Sequence, residues 1–277
     1  MQFGISTHLY HGTRLERDHL VEIAAHGFDA LELFATRTHF DYHDDTSIAR
    51  LAAWLDETGL RLHSIHAPIT TGMAGGVWGP AFSNATKAQD ARRLAVRETE
   101  ASLAVARRIP VSCLVVHLGV PRERAAPGDN DLDAARQSFE EIHEAAAPLG
   151  VRVAAEVIPN DLSTAAALVA LLEDELDLGH AGVCLDYGHA FLMGDVVEAI
   201  EAVSGHLITT HVHDNRGLSD DHLVPFEGAI DWAAALIATQ KVGYDGTLLL
   251  ELAGAGSPRT VLENAQRARA RFEQMLT

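Results

Sequence analysis

The residues able to do chemistry recur at one kind of place, the end of a short apolar run. His8 closes FGIST, Glu32 lies in ALELF, His66 ends SIH and His117 ends CLVVH. Glu156 follows VAA, Asp186 and His189 stand in CLDYGHA, His211, His213 and Asp214 in THVHDN, and Glu251 ends LLLE. Asp220, Asp221 and His222 follow the seventh run closely. A carboxylate or imidazole at the end of a buried strand costs free energy unless it is paired, hydrogen-bonded or bound to a cation. One such residue is ordinarily satisfied packing; a ring of them on converging strands is a metal-binding pattern. Mixed nitrogen and oxygen donors suit Zn²⁺, Mn²⁺, Fe²⁺ or Co²⁺, and carboxylates alone suit Mg²⁺ or Ca²⁺.

Other chemistries lack their signatures: there is no G-x-S-x-G, H-E-x-x-H, P-loop or C-x-x-C. Bland readings stand beside the pattern. Asp186 and His189 could be a plain hydrogen-bonded pair, Asp220 to His222 a solvated acidic loop, and Glu140 and Glu141 an exposed helix face.

The elements that must position these residues alternate. Strand signals cover Phe3–Thr7, Ala30–Phe34, Arg61–His66, Ser112–His117, Val151–Val157, Gly182–Asp186, Leu207–Val212 and Thr247–Leu252. Between them the apolar spacing is helical, as in Ile48, Leu51, Ala52 and Leu55, and Gly27, Gly59, Gly150, Gly205 and Gly243 stand where helices should stop. Asp195 and Pro258 mark helix starts. The longest irregular stretches, Ala67–Ala85 and Asp214–Ala229, each follow a strand. Eight strand–helix units in one chain predict an α/β fold, a (β/α)₈ TIM barrel formed as a single domain over residues 1–277. A doubly wound open sheet is the alternative, but no G-x-G-x-x-G opens the first helix.

Composition narrows the function. The 21 Lys and Arg against 39 Asp and Glu give a net charge of −18, which disfavours broad binding to nucleic acid. The longest apolar stretch, Ala165 to Leu172, falls far short of the roughly 20 residues of a membrane span. The first residues, MQFGIST, carry no export signal, and Cys113 and Cys184 sit in apolar runs, so a cytoplasmic protein with buried thiols is expected.

Through HVHDNRGLSDDHLVPFEGAIDW (His211–Trp232), CLDYGHAFLMGD and the glutamates of strands five and eight, the whole chain resembles the xylose-isomerase-like TIM-barrel superfamily. That group holds sugar and sugar-phosphate isomerases and epimerases and endonuclease IV. The resemblance to the epimerases implies one divalent metal on Glu156, Asp186, His211 and Glu251, with Glu156 and Glu251 also exchanging protons with the substrate carbon. It implies that His189 and Arg216 hold substrate hydroxyls or carbonyl. His8 is a further candidate contact, and Phe34, Trp78 and Tyr187 are candidate walls. The resemblance to endonuclease IV implies up to three ions, with His66, His117, His189, Asp220 and His222 as additional ligands.

Two departures bear on this choice. The loop after the third strand places Ile69 and Thr70 where the nuclease carries its wedge into DNA, and Phe226 in PFEG interrupts a glycine-rich element suited to phosphate. The reading is therefore a divalent-metal-dependent (Zn, Mn, Fe, Co or Mg) isomerase or epimerase of a sugar, sugar phosphate or related polyol ketone. The alternative is a multinuclear zinc phosphodiesterase. A non-catalytic sugar-binding or metal-storage barrel would explain the ligands but not the paired glutamates. A homodimer is expected by resemblance alone.

Overall fold

The computed structural model describes residues 1–175, 179–253 and 256–276. Eight strands form the predicted barrel: β1 Gln2–Ser6, β2 Ala30–Phe34, β3 Arg61–His66, β4 Cys113–Val116, β5 Arg152–Glu156, β6 Ala181–Asp186, β7 Leu207–Val212 and β8 Thr247–Leu250. All neighbours pair in parallel, and β1 pairs with both β2 and β8, which closes the sheet. The bounds for β2, β3 and β7 match the expectation, and the others differ by one or two residues at an end. His117 thus lies one residue beyond β4, and Glu251 one beyond β8.

The helices follow from local chemistry. In α2 (Asp45–Thr58), Asp44 caps the start by accepting from the amides of Thr46 (3.0 Å) and Ser47 (3.1 Å). Its Ile48, Leu51 and Leu55 form the stripe that is buried against the barrel. Gly59, at φ 72°, ends it in the left-handed conformation. Replacing Asp44 by Ala would leave both amides without this acceptor and weaken the helix start. Asp195 likewise caps α7 (Val196–Ala202), and Pro258 opens α9 (Pro258–Leu276). Between α3 (Gln89–Ser102) and α4 (Leu132–Ala146), the buried Arg92 donates through two nitrogens to Glu141, at 3.1 Å each. Glu141 is therefore not the merely exposed acid the sequence suggested; it neutralises a buried guanidinium.

Among the described strands two register irregularities fall in the N-terminal halves of β3 and β7. One extra residue, His63, is accommodated in β3 opposite β2, and one, Ile208, in β7 opposite β6. Such bulges turn side chains near active sites. Cys113, Val115, Ala154, Cys184 and Ile208 pack as a small apolar plug within the barrel, and both cysteines are free. Among the described residues no helix is long and apolar enough to cross a membrane.

Candidate active site

Parallel strands deliver their C-terminal ends to one rim, and register sets the neighbours there. Asp186 of β6 pairs with His211 of β7, and Phe34 of β2 with His66 of β3. His211 is the hub. Its Nδ1 lies 3.1 Å from Glu156 Oε1, 3.5 Å from Glu251 Oε2 and 3.9 Å from Asp186 Oδ2, and all four side chains are nearly or wholly buried. Asp186 also caps α6 (Tyr187–Met193) by accepting from the His189 amide at 2.7 Å, which ties the start of that helix to the cluster.

The additional histidines turn inward as well. His66 Nε2 lies 3.2 Å and His117 Nε2 3.0 Å from the buried Glu156 Oε2. On the other side, Asp220 Oδ2 lies 3.1 Å from His189 Nε2 and 3.2 Å from His222 Nε2. Among the described residues four groups of donors, each with its ligand atoms within 4.8 Å of one another, result: Glu156–Asp186–His211–Glu251, His66–His117–Glu156, His66–His211–Glu251 and His189–His213–Asp220–His222. His213, a residue the sequence reading left without a role, lies 3.0 Å from Asp186 and stacks on His222. Its ring sits where a side chain at residue 188 would be, 2.0 Å from the place of a Cβ, so Gly188 is required there.

The donor set fits a divalent cation. His66 Nδ1 is held by the Ala67 carbonyl (2.8 Å), His189 Nδ1 by Val157 (3.1 Å) and His222 Nδ1 by Glu251 (2.9 Å). In the neutral ring, a donating Nδ1–H leaves the lone pair on Nε2, the atom that faces the carboxylates. Without a cation, the carboxylates hold protons on these rings instead. Burial alone would lower His66 and His222, but Glu156 and Asp220 beside them reverse this and raise each to about 9. Burial alone would likewise raise Asp220 and Glu156, but the surrounding imidazoles hold both below the ordinary carboxylate range.

Above the cluster opens a cleft of about 390 Å³. His8, Phe34, Trp78, Phe82 and Val120 contribute to its walls, and Glu156, His189, Asp220, His222 and Glu251 to its floor. His8 and Trp78 sandwich His11, with ring centroids at 4.6 and 5.0 Å. His11 is a wall residue that carried no signal in the sequence beyond its nearness to His8.

Two expected contacts are not brought to the cleft. Tyr187 is wholly buried behind it; its hydroxyl meets Thr239 at 2.7 Å and its ring lies near Trp232. It follows Asp186 as the first residue of α6, and its side chain points toward the helices. Arg216 is exposed on the loop after β7 and lies outside the cleft lining.

That loop is organised from within. The amides of Asn215, Phe226 and Ile230 and the Trp232 indole all donate to the Asp214 carboxylate, at 2.9 to 3.1 Å. Phe226 takes a left-handed backbone, φ 76°, and its ring packs on Phe272 beneath the Arg271 guanidinium. The residue that interrupts the glycine pattern therefore keeps a backbone conformation that favours glycine.

Comparison with known proteins agrees with the barrel. A family model described as a xylose isomerase-like TIM barrel matches residues 20–274. An uncharacterized protein of Methanocaldococcus jannaschii is 28% identical over 259 residues, 91% of this chain and 83% of that one. An inosose isomerase of Bacillus velezensis is 23% identical over 240 residues, 82% of this chain and 79% of that one. The crystal structure of a D-tagatose 3-epimerase-like protein superposes with a TM-score of 0.81 at 24% identity, covering 100% of this chain and 97% of that one. The IOLI protein, solved with a zinc atom, superposes at 0.78 with 16% identity over 100% and 98% of the two chains.

Proposed function

The chain belongs to the xylose isomerase-like TIM-barrel family, and from that premise we propose that it is a divalent-metal-dependent isomerase or epimerase of a sugar or related polyol ketone. One observation carries the reading: two buried glutamates, Glu156 and Glu251, converge with Asp186 on one face of His211 at the floor of a cleft of sugar size. The named functions of the inosose isomerase and the epimerase-like protein agree with it.

Glu156, Asp186, His211 and Glu251 would hold the cation, which supplies a Lewis acid for the substrate carbonyl and neutralises buried negative charge. The proton work falls to the chain. One of Glu156 and Glu251 removes the proton from the carbon beside the carbonyl, and the other returns it, to the opposite face or to the neighbouring carbon. His189 orients a hydroxyl from the floor, with Asp220 fixing its ring. His8 and Trp78 hold the sugar's apolar face and exclude water. The donors around Asp214 are already engaged, and among the described residues Arg124, beside Glu123 at the rim, is the one arginine of the cleft lining. Both facts favour an unphosphorylated substrate.

The test is exchange of carbon-bound hydrogen with deuterated water, screened over free ketoses and inososes. Glu251→Gln should slow exchange by about 10²- to 10⁴-fold with the fold retained; retained exchange would remove Glu251 as acid or base.

A second reading, an endonuclease IV-like phosphodiesterase, is favoured by the additional donor groups around His66, His117 and Glu156 and around His189, Asp220 and His222. It requires close to three zinc ions per chain and incision of abasic duplex DNA. Zinc-loaded protein that leaves such DNA intact would eliminate it, and the charge of −18 weighs against that partner.

A further inference from the structure

Beneath the cluster lies a carboxylate that neither reading employs. Glu32, on β2, is completely buried and is not part of the cleft lining. Its Oε2 lies 3.1 Å from His211 Nε2 and accepts the Ser64 hydroxyl at 2.7 Å, while Oε1 has no hydrogen-bond partner. The register that pairs Glu32 with Ser64 is the one set by the bulge at His63, so backbone geometry brings the two side chains together. His211 differs from His66, His189 and His222 in what holds its far nitrogen. Behind His66, His189 and His222 stands a neutral main-chain carbonyl; behind His211 stands a carboxylate.

We propose that Glu32 is a positioning residue for the metal centre: by taking the Nε2–H of His211 it fixes the tautomer whose Nδ1 lone pair faces the cation. Nδ1 is the nitrogen near Glu156, Asp186 and Glu251, so a cation held by those carboxylates meets His211 only there. A ring with its proton on Nδ1 would offer the cation no lone pair. A carboxylate behind the ring enforces the productive tautomer and makes the imidazole a stronger donor. Ser64 holds the carboxylate at the angle this needs.

The proposal rests on the metal-dependent reading above, and affinity measured directly separates the two. The full chain, stripped of metal, is titrated with Zn²⁺ and with Mn²⁺ against a chelating indicator, and the cation-free melting temperature is recorded alongside. Wild type should bind. Glu32→Ala should bind 10- to 100-fold more weakly. Glu32→Gln, near-isosteric and still able to accept from His211, should lose less than Glu32→Ala but more than threefold, and it provides the reading should the alanine variant fail to fold. A purely structural role would move the melting temperature and leave affinity alone. Affinity within twofold of wild type in Glu32→Gln, or in a folded Glu32→Ala, overturns the proposal. Wild type that takes up neither cation overturns the metal-dependent reading and the proposal with it.

Discussion

At the N-terminal end of the barrel the charged residues stand in water: Arg61 and Arg152 are exposed, and Arg61 donates to Gln2. At the C-terminal end Glu32, Glu156, Asp186, His211 and Glu251 are withdrawn from it. The same eight strands carry both sets. Exposed charges of the first kind contribute little to stability. Buried charges of the second kind are tolerated only when neutralised, here by imidazoles carrying protons or by a cation that displaces them. The contrast points to the C-terminal end as the candidate functional end before any relative is considered.

The sharpest way to break the contrast is to remove a carboxylate from the buried end. Asp186→Ala should lower carbon-bound hydrogen exchange by about a thousandfold or more, because it removes one of the four proposed metal ligands and the cap that ties His189 to the floor. Exchange rates of the purified variant check this.

Acid should expose a second difference. His39 and His63 take no part in the cluster, and burial pushes each down to about 4. The unfolded chain takes up these protons near pH 6.5, the folded chain only near 4, so the unfolded state binds more protons between those values. Stability therefore falls as pH drops through that window and loses nothing further below it from these groups. For the wholly buried His39 the loss is about 3 kcal/mol. Denaturant midpoints across pH 7 to 4 should show His39→Gln with a flatter acid limb than wild type.

Smaller effects sharpen the boundary of the site. Trp78→Ala should raise KM about tenfold with kcat changed little, since it removes a wall of the cleft and no proton-transfer group. At the opposite end, Arg61→Ala should change stability by no more than about 0.5 kcal/mol and leave exchange untouched. A large activity loss there would refute the division of labour between the ends.

Much of this division was legible in the sequence. Alternating apolar runs and helical stripes specify the barrel, and a polar residue at a strand's C-terminal end is conspicuous because the residues before it are apolar. His66, His117, Glu156, Asp186, His189, His211 and Glu251 were found that way, and the structure brings them together. The failures have physical causes too. Tyr187 was a candidate wall, but as the first residue of α6 it turns away from the cleft toward Thr239 and Trp232. Arg216 lies on an irregular loop, where spacing carries no direction. His11 reaches the site by ring stacking, which no linear pattern encodes, and His213 was visible at its strand end while its contact with Asp186 was not. Glu32 was visible as a strand residue, but its contact with His211 crosses 179 positions of chain.

The most direct measurement is elemental analysis of the full chain purified without chelator. The account predicts at least one equivalent of a divalent metal per chain, retained through dialysis and absent from Asp186→Ala. Protein that carries no divalent metal, and gains none on dialysis against Zn²⁺ or Mn²⁺, would contradict it.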